Sequence, residues 1–588
     1  MKSKNQTLAA ICWTTVAILA GFMCLAQLGI MLSLSLGRLG ITWVAPLALS
    51  GALIIGDQLG RKTGLAGWRR LCPTGLALGL MGFALAVSAY YFDLAWDGQW
   101  YHQPTIYAMA RNWNPLTEPL RAGLSLWAHH YAKGPWYVAT AIYETTGHIE
   151  WGKCTTLIAW AAMGLSVFAA GLDWGMRRLH AAAIAAVVAL NPVVTSVLVT
   201  YLVEGNLTGS LMVAAAAVFS IFRRPQPVVI WVGSMAAILC INAKFTGTVF
   251  LCFIFAAGWI WCALRHRAWL FRYTGGAVLL LILGMGVFGY NPYITNTIHR
   301  HHPFYPVCGT AAFPSLAQQG KSGIENIETP KNFLSRNRLV RLAYATFGRP
   351  GNQPYRNGPK AKPDPNAQLM WPFTARPADL HSYCYHETRV AGFGPFFSGA
   401  LLFGFGLSVW LLFQPKAPRL VLALVALTIT GSLLISPYLW WARYGPQLWL
   451  LPVLPVVFIF QGVYPRRLAA AAWLLLALLA VNAGIVADIR LCWETKASQT
   501  LRRQLTDLRQ SGQKIEINFM NFAVSGEERL KSWGIPYRKV GRKEKLAGGV
   551  ELMSVVEGYP GAVKYRVFPP SEMSGSVDKN DDSASKTD

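Results

Sequence analysis

Charge is what this sequence has least of. Only 14% of its 588 residues are Asp, Glu, Lys or Arg, against 53% hydrophobic, where a soluble domain carries about 25% charged residues. Together with a mean hydropathy of +0.34, this excludes an ordinary soluble fold and points to an integral membrane protein. Cysteine in ligand spacing is missing too: the 10 Cys form no CxxC or Cys/His pattern, which argues against structural zinc. No glycine-rich phosphate loop sits on a strand–helix unit. No internal repeat runs through the chain, whereas many transporters are built from duplicated halves. The first apolar run lacks a small-residue cleavage site and reads as a retained span.

Aromatics are plentiful, and 23 Trp with 22 Tyr fit the belts where rings with a polar tip meet lipid headgroups. The net charge of +26 does not imply a nucleic-acid partner. The basic residues gather at alternate junctions between apolar runs, such as Arg69-Arg70, Arg177-Arg178, Arg223-Arg224 and Arg466-Arg467, as cytoplasmic loops require.

Apolar runs near spanning length fall at 8–35, 41–57, 71–91, 154–176, 180–201, 206–222, 226–241, 247–264, 274–291, 391–413, 419–437, 447–463 and 468–488. The expected fold is an all-α polytopic membrane protein of about thirteen transmembrane helices, its N-terminus cytoplasmic and its C-terminus extracytoplasmic. Two helices and a basic loop fill 1–70. The transmembrane core covers 71–488, with large extracytoplasmic loops at 92–153 and 292–390. A small extracytoplasmic α/β domain is expected over 489–570, from a helix at 491–509 and strands at 514–522, 549–556 and 563–568. The Ser/Asp/Lys-rich tail, 571–588, reads as disordered.

The first large loop places Asp93 and Asp97 four residues apart. On one helical face, like charges raise one pKa toward a general-base range. The same pair could offer hard oxygen ligands to a divalent cation, or cap a helix. Tyr101 and His102 follow, and Lys133 stands exposed before Gly134-Pro135, where it could meet a sugar or phosphate. Glu204, Lys244 (in Asn242-Ala-Lys-Phe-Thr-Gly247) and Arg443 (beside Tyr444, in Trp440-Trp-Ala-Arg-Tyr-Gly445) sit at extracytoplasmic helix ends. A cation on the side the charge bias opposes is often there for an anion, and Arg grips phosphate through two donors. The second loop opens Asn291-Pro-Tyr-Ile-Thr-Asn296, then His299-Arg-His-His302. Those histidines read as hydrogen-bonding partners for a polar headgroup, because no fourth ligand is nominated for zinc. Cys308 and Cys384 in that loop could form a disulfide.

Taken together these features resemble the GT-C superfamily of polytopic membrane glycosyltransferases, which use polyprenyl-phosphate-linked sugars. The likeness rests on Asp93 and Asp97, Tyr101-His-Gln-Pro104, Lys133-Gly-Pro135, Lys244-Phe-Thr-Gly247, Asn296 with Pro303-Phe-Tyr-Pro306, and Trp441-Ala-Arg-Tyr444. It covers most of residues 70–490, through motifs that are each short. In the family the catalytic loop usually follows the first span, whereas here it follows the third; two extra helices preserve its sidedness.

The resemblance implies an enzyme of the bacterial inner membrane. It would move a hexosyl or pentosyl unit from a polyprenyl-phosphate-linked donor to a cell-envelope glycan, lipid or protein acceptor, with inversion. Asp93 or Asp97, Asp93 being favoured, would be the base, and Lys244 and Arg443 would stabilise the departing phosphate. Tyr101, His102, Lys133, Glu204, Asn296, His299 and Tyr444 would bind substrate. A cation such as Mg or Mn, if used, would lie on Asp93 and Asp97. The alternatives are a lipid-linked polysaccharide polymerase or ligase, a lipid or solute flippase-transporter, and a non-catalytic membrane scaffold.

Overall fold

The first apolar run forms one helix, α1 (Lys2–Ser35). It contains no proline, and its apolar residues cover the whole circumference instead of a stripe. A helix of that kind must be enclosed on all sides or lie in lipid. Here 83% of its apolar window is buried, so it is a central post of the bundle. The computed structural model describes residues 2–320, 327–356, 362–415, 417–544, 546–556 and 562–567. The expected disordered tail, 571–588, lies outside the described residues.

Helices α2 (Val44–Lys62) and α3 (Cys72–Tyr90) pack on α1. Two short helices, α4 (Gln103–Ala110) and α5 (Gly134–Thr146), follow in the first long connection. Next come α6 (Cys154–Asp173), α7 (Arg178–Ala189), α8 (Glu204–Ile221), α9 (Pro227–Ala243), α10 (Phe245–Arg265) and α11 (Leu270–Ile282). The second long connection carries α12 (Arg338–Phe347). Helices α13 (Phe397–Leu412), α14 (Arg419–Leu434), α15 (Leu450–Gln461) and the 46-residue α16 (Arg466–Ser511) complete the bundle.

Among the described residues eight helices are long and apolar enough to cross a membrane. Five shorter apolar helices, at 178–189, 227–243, 397–412, 419–434 and 446–461, stand where the other five spans were expected. The clearest departure is α7. Its 12 residues reach about 18 Å, well under a bilayer core of about 30 Å. It ends at Leu190 because Asn191 precedes Pro192, and a residue before proline is pushed out of the helical region. Asn191 has φ −47 and ψ 119, and its side chain accepts from Val193 N, starting a new turn. The run at 180–201 is therefore a short helix and, after a break, a segment without a long helix, not one continuous span. At the other extreme the apolar window of 267–288 is only 6% buried. Exposed Phe271, Leu279 and Ile282 make a patch of the kind a soluble chain avoids and a lipid-facing helix requires.

The chain divides into two compact units, Met1–Thr495 and Lys496–Asp588. In the second, a four-stranded sheet has the order β2-β1-β4-β3, with β1 at Ile515–Asn518, β2 at Tyr537–Lys539, β3 at Val550–Leu552 and β4 at Val563–Val567. Strand β1 runs parallel to β2 and antiparallel to β4. Ile515 and Ile517 are buried, and Glu516 between them points to the opposite face, paired with Arg538 and Arg566. The three strands expected from alternation are present. Sequence pattern missed β2 and the helix α17 (Ala523–Ser532), because three residues are too few to show alternation.

One expectation is corrected here. Cys308 is exposed, Cys384 is buried, and the two are not joined in a disulfide. Cys384 Sγ instead lies 3.9 Å from His381 Nδ1. A thiol-reactive maleimide applied without reductant should modify Cys308 in the folded protein and Cys384 only after denaturation. Peptide mass spectrometry showing a Cys308–Cys384 linkage would contradict this arrangement.

Candidate functional site

The two aspartates expected to act together are held apart. Residues 92–95 have no regular secondary structure, and the helix begins only at Trp96 and Asp97, so Asp93 and Asp97 share no helical face. Asp93 is fully buried. Its Oδ1 accepts from Ala95 N at 2.9 Å and its Oδ2 from Tyr201 N at 3.2 Å, while its own N–H donates to Glu150 Oε2 at 3.0 Å. A Cβ on Gly98 would fall 1.9 Å from Asp93 Oδ2, so only glycine lets the helix pass over this carboxylate. Lys153, also buried, pairs with Glu150 at 2.6 Å. Burial pushes the Asp93 carboxyl up to about 7, partly opposed by the nearby Lys153 charge. Asp93 is a cap that ties the first long connection to the segment before α8.

Asp97 faces a different company. After it the backbone widens into a π-turn at Gly98–His102, a distortion often found at functional sites, before α4 resumes. Asp97 Oδ2 lies 3.1 Å from Arg443 Nη2. Arg443 Nε lies 3.2 Å from Glu204 Oε1, and its Nη1 pairs with Glu387. Glu204 Oε1 also accepts from Lys244 Nζ at 2.8 Å. Lys244 stands 4.5 Å from the Tyr444 ring centroid, and the Arg443 guanidinium 5.1 Å from that of Trp441. Thus Asp97, Glu204, Lys244, Arg443 and Tyr444, drawn from four chain segments, meet in one cluster.

Local backbone explains the placement. Glu204 opens α8, where the N-terminal amides favour a carboxylate. Lys244 is extended, with φ −162 and ψ 149, between α9 and α10. The turn is tight: a Cβ on Gly247 would lie 2.2 Å from Cys240 O. Arg443 sits on a single 3-10 turn, Ala442–Tyr444.

His102 is buried at the edge of this cluster, and its Nδ1 accepts from Trp136 Nε1 at 2.6 Å. In the neutral ring that places the proton on Nε2, which has no hydrogen-bond partner among the described residues. Burial holds its pKa down to about 3, so His102 is a hydrogen-bond donor, not a base. Tyr101 is buried beside it, its ring 4.2 Å from that of His102 and within electrostatic range of Asp97 and Arg443.

Three expected site residues serve elsewhere. Lys133 is fully buried and donates to His129 O at 2.7 Å, Tyr131 O at 2.9 Å and the Asn291 side chain. It joins the two long connections and is not presented by its turn. Asn296 pairs with His130 Nδ1 at 2.6 Å and donates to Tyr305 O at 2.9 Å. His299 is exposed on the short helix Thr295–Arg300.

The metal expectation does not fit the residues present. Asp93 and Asp97 turn to different partners. Among the described residues no group of three His, Cys, Asp or Glu could hold a metal ion, and that includes His299, His301 and His302.

Sequence reasoning missed Glu387 and its support. Arg389, which is buried, stacks 4.2 Å from the Trp441 ring centroid and 4.8 Å from that of Tyr355, and bonds Glu328 O at 2.7 Å. His386 Nε2 lies 2.9 Å from Glu494, which also pairs with Arg490 on α16. The available signal was an acid and a base, Glu387 and Arg389, immediately before the apolar run at 391.

An apolar cavity of about 240 Å³ lies between α7, α8, α10, α14 and α15, lined by Val188, Leu211, Met212, Phe250, Ile429 and Gln447 among others. Leu211 is seven residues along α8 from Glu204, and Phe250 six along α10 from Lys244. At about 1.5 Å per residue the lining begins about 10 Å from the charges. No family profile, curated protein or solved structure matches this chain.

Asp93 makes a stability prediction with a definite sign. Its folded pKa of about 7 lies above the unfolded 3.8, so its contribution is full below pH ~4 and falls as the pH rises through ~7. Asp93→Ala leaves the amides of Ala95 and Tyr201 without their acceptor, at about 1–3 kcal/mol each. The melting-temperature gap between wild type and Asp93→Ala should therefore narrow from pH 4 to pH 7.5. A gap that stays constant or widens would contradict it.

Proposed function

We propose that the chain is an integral membrane glycosyltransferase. It moves a sugar from a polyprenyl-phosphate-linked donor to a cell-envelope acceptor on the extracytoplasmic face of the bacterial inner membrane. The observation that carries this reading is the pairing of Arg443 and Lys244 with the apolar cavity below them. A ligand with a phosphate head and a long hydrocarbon tail has the two chemistries found there, in that order. Thirteen crossings, with the short helices spanning where the bundle thins the bilayer, would put the cluster at the outer interface.

In this reading the donor phosphate meets the Arg443 fork and Lys244, and its isoprenoid chain enters between α8, α10 and α14. Asp97, on the more open side of the cluster, is the base; Asp93 is committed to backbone amides. The acceptor hydroxyl attacks the anomeric carbon from the face opposite the phosphate. As the new C–O bond forms, its proton passes to Asp97 and the electron pair of the breaking bond goes to the phosphate oxygen. Configuration inverts. Arg443 and Lys244 stabilise the charge that builds there, usually the largest electrostatic contribution. His102 Nε2–H supplies one neutral donor to a substrate oxygen.

A transporter would be expected to carry charge in mid-span. In this chain the clustered charges stand at helix ends, which favours an enzyme working at the interface. A lipid-linked polysaccharide polymerase or ligase would use the same cluster with a larger donor.

The test is transfer from a radiolabelled polyprenyl-phosphate sugar by the purified chain. Asp97→Asn should lower kcat about 10²–10⁴-fold, the usual worth of a general base, whereas Asp93→Asn should lose stability before turnover per folded molecule. Loss confined to Asp93→Asn would reverse the assignment. Undiminished transfer by both variants would remove it.

A further inference from the structure

Each nitrogen of the Arg443 guanidinium has a carboxylate beside it: Nη2 donates to Asp97, Nη1 pairs with Glu387, and Nε lies 3.2 Å from Glu204 without a hydrogen bond. A phosphate gripped through the two terminal nitrogens therefore meets Asp97 and Glu387 already there. The three acids are not equivalent. The Glu204 side chain is only 2% exposed and is held a second time by Lys244. Those of Asp97 and Glu387 are 19% and 15% exposed and share the guanidinium's outer end. Three carboxylates against Arg443 and Lys244 leave the cluster one negative charge in excess, so a further anion is repelled unless an acid moves aside.

We propose that the donor's phosphate displaces Asp97 and Glu387 from the terminal nitrogens of Arg443, so that donor binding is the event that frees Asp97 to act as base. This rests on the phosphate-holding reading given above and adds an order of events and a role for Glu387. Before the donor arrives, Asp97 is held on Arg443, 3.1 Å from Nη2. Once phosphate occupies Nη1 and Nη2, Asp97 leaves the guanidinium and can turn to the acceptor hydroxyl. An acceptor hydroxyl then meets a free base only when a donor is in place, which suppresses futile chemistry. When the C–O bond breaks, the phosphate gains a negative charge and holds Arg443 more firmly, keeping Asp97 away until the product leaves. Asp97 then returns its proton to water and pairs again. Glu387 is a positioning residue: it sets how strongly Arg443 resists the incoming phosphate.

Competition has a signature that a structural role lacks, because removing a competitor tightens binding. The full chain, in nanodiscs of zwitterionic lipid, is titrated with a polyprenyl monophosphate. Asp97→Asn and Glu387→Gln should each bind it more tightly than wild type, by about three- to tenfold, tenfold being about 1.4 kcal/mol. Arg443→Ala should bind it at least tenfold more weakly. Equal or weaker binding by both acid variants, with Arg443→Ala weakened, would overturn the exchange and leave the phosphate site standing. Unchanged binding by Arg443→Ala would overturn the phosphate site itself. Inorganic phosphate forms a second arm. Tightening with it as well assigns the exchange to the phosphate group alone. Tightening with the polyprenyl ligand only assigns it to a phosphate delivered on a lipid.

Discussion

The centre of this molecule is a guanidinium that has been taken out of water. Arg443 has a side chain only 12% exposed, and a buried charge persists only if its donors are met. The chain meets them with acids that are 346, 239 and 56 positions away in sequence, Asp97, Glu204 and Glu387. Breaking a buried pair of this kind by removing one partner costs about 3–5 kcal/mol. The convergence therefore constrains the first long connection, the start of α8 and the second long connection at once. Much of the surrounding structure can be understood as holding those segments: Asp93 fastens residues 91–95 to Tyr201, Lys133 fastens one long connection to the other, and Arg389 stacks on Trp441.

The same cluster gives the bundle its functional asymmetry. Polar convergence lies at one end of α8 and α10, and an apolar cavity lies along their flanks. Neither feature alone discriminates between functions. An ion-pair network can be purely structural, and a cavity among apolar helices can be a packing defect or a lipid site. Their adjacency matches the proposed amphiphile with an anionic head, and three carboxylates stand around Arg443 where that head would bind.

Much of this was legible in the sequence, for identifiable reasons. Apolar run length located the helices, because burying unpaired backbone in lipid leaves little choice but helix. Charge against the topological bias picked out Lys244 and Arg443, and an acid beside hydrocarbon picked out Glu204; all three are in the cluster. Failure came where local pattern was silent about tertiary partners. The spacing of Asp93 and Asp97 implied one helical face, but the helix starts between them and one acid turned inward to amides. Lys133 and Asn296 were correctly seen as unusual, yet they serve backbone carbonyls and neighbouring side chains. Glu387 was overlooked because its local signal, an acid and a base before an apolar run, does not point to a partner 56 residues further on. The run at 180–201 was long enough to span on composition, and a single proline cut it short.

The most direct measurement is an experimental structure of the full chain in nanodiscs with a polyprenyl monophosphate bound. The account predicts the phosphate on Arg443 Nη1 and Nη2 and near Lys244, the chain running between α8, α10 and α14, Glu204 still paired, and Asp97 swung off the guanidinium. A phosphate bound elsewhere, with Asp97 and Glu387 still on Arg443, would contradict it.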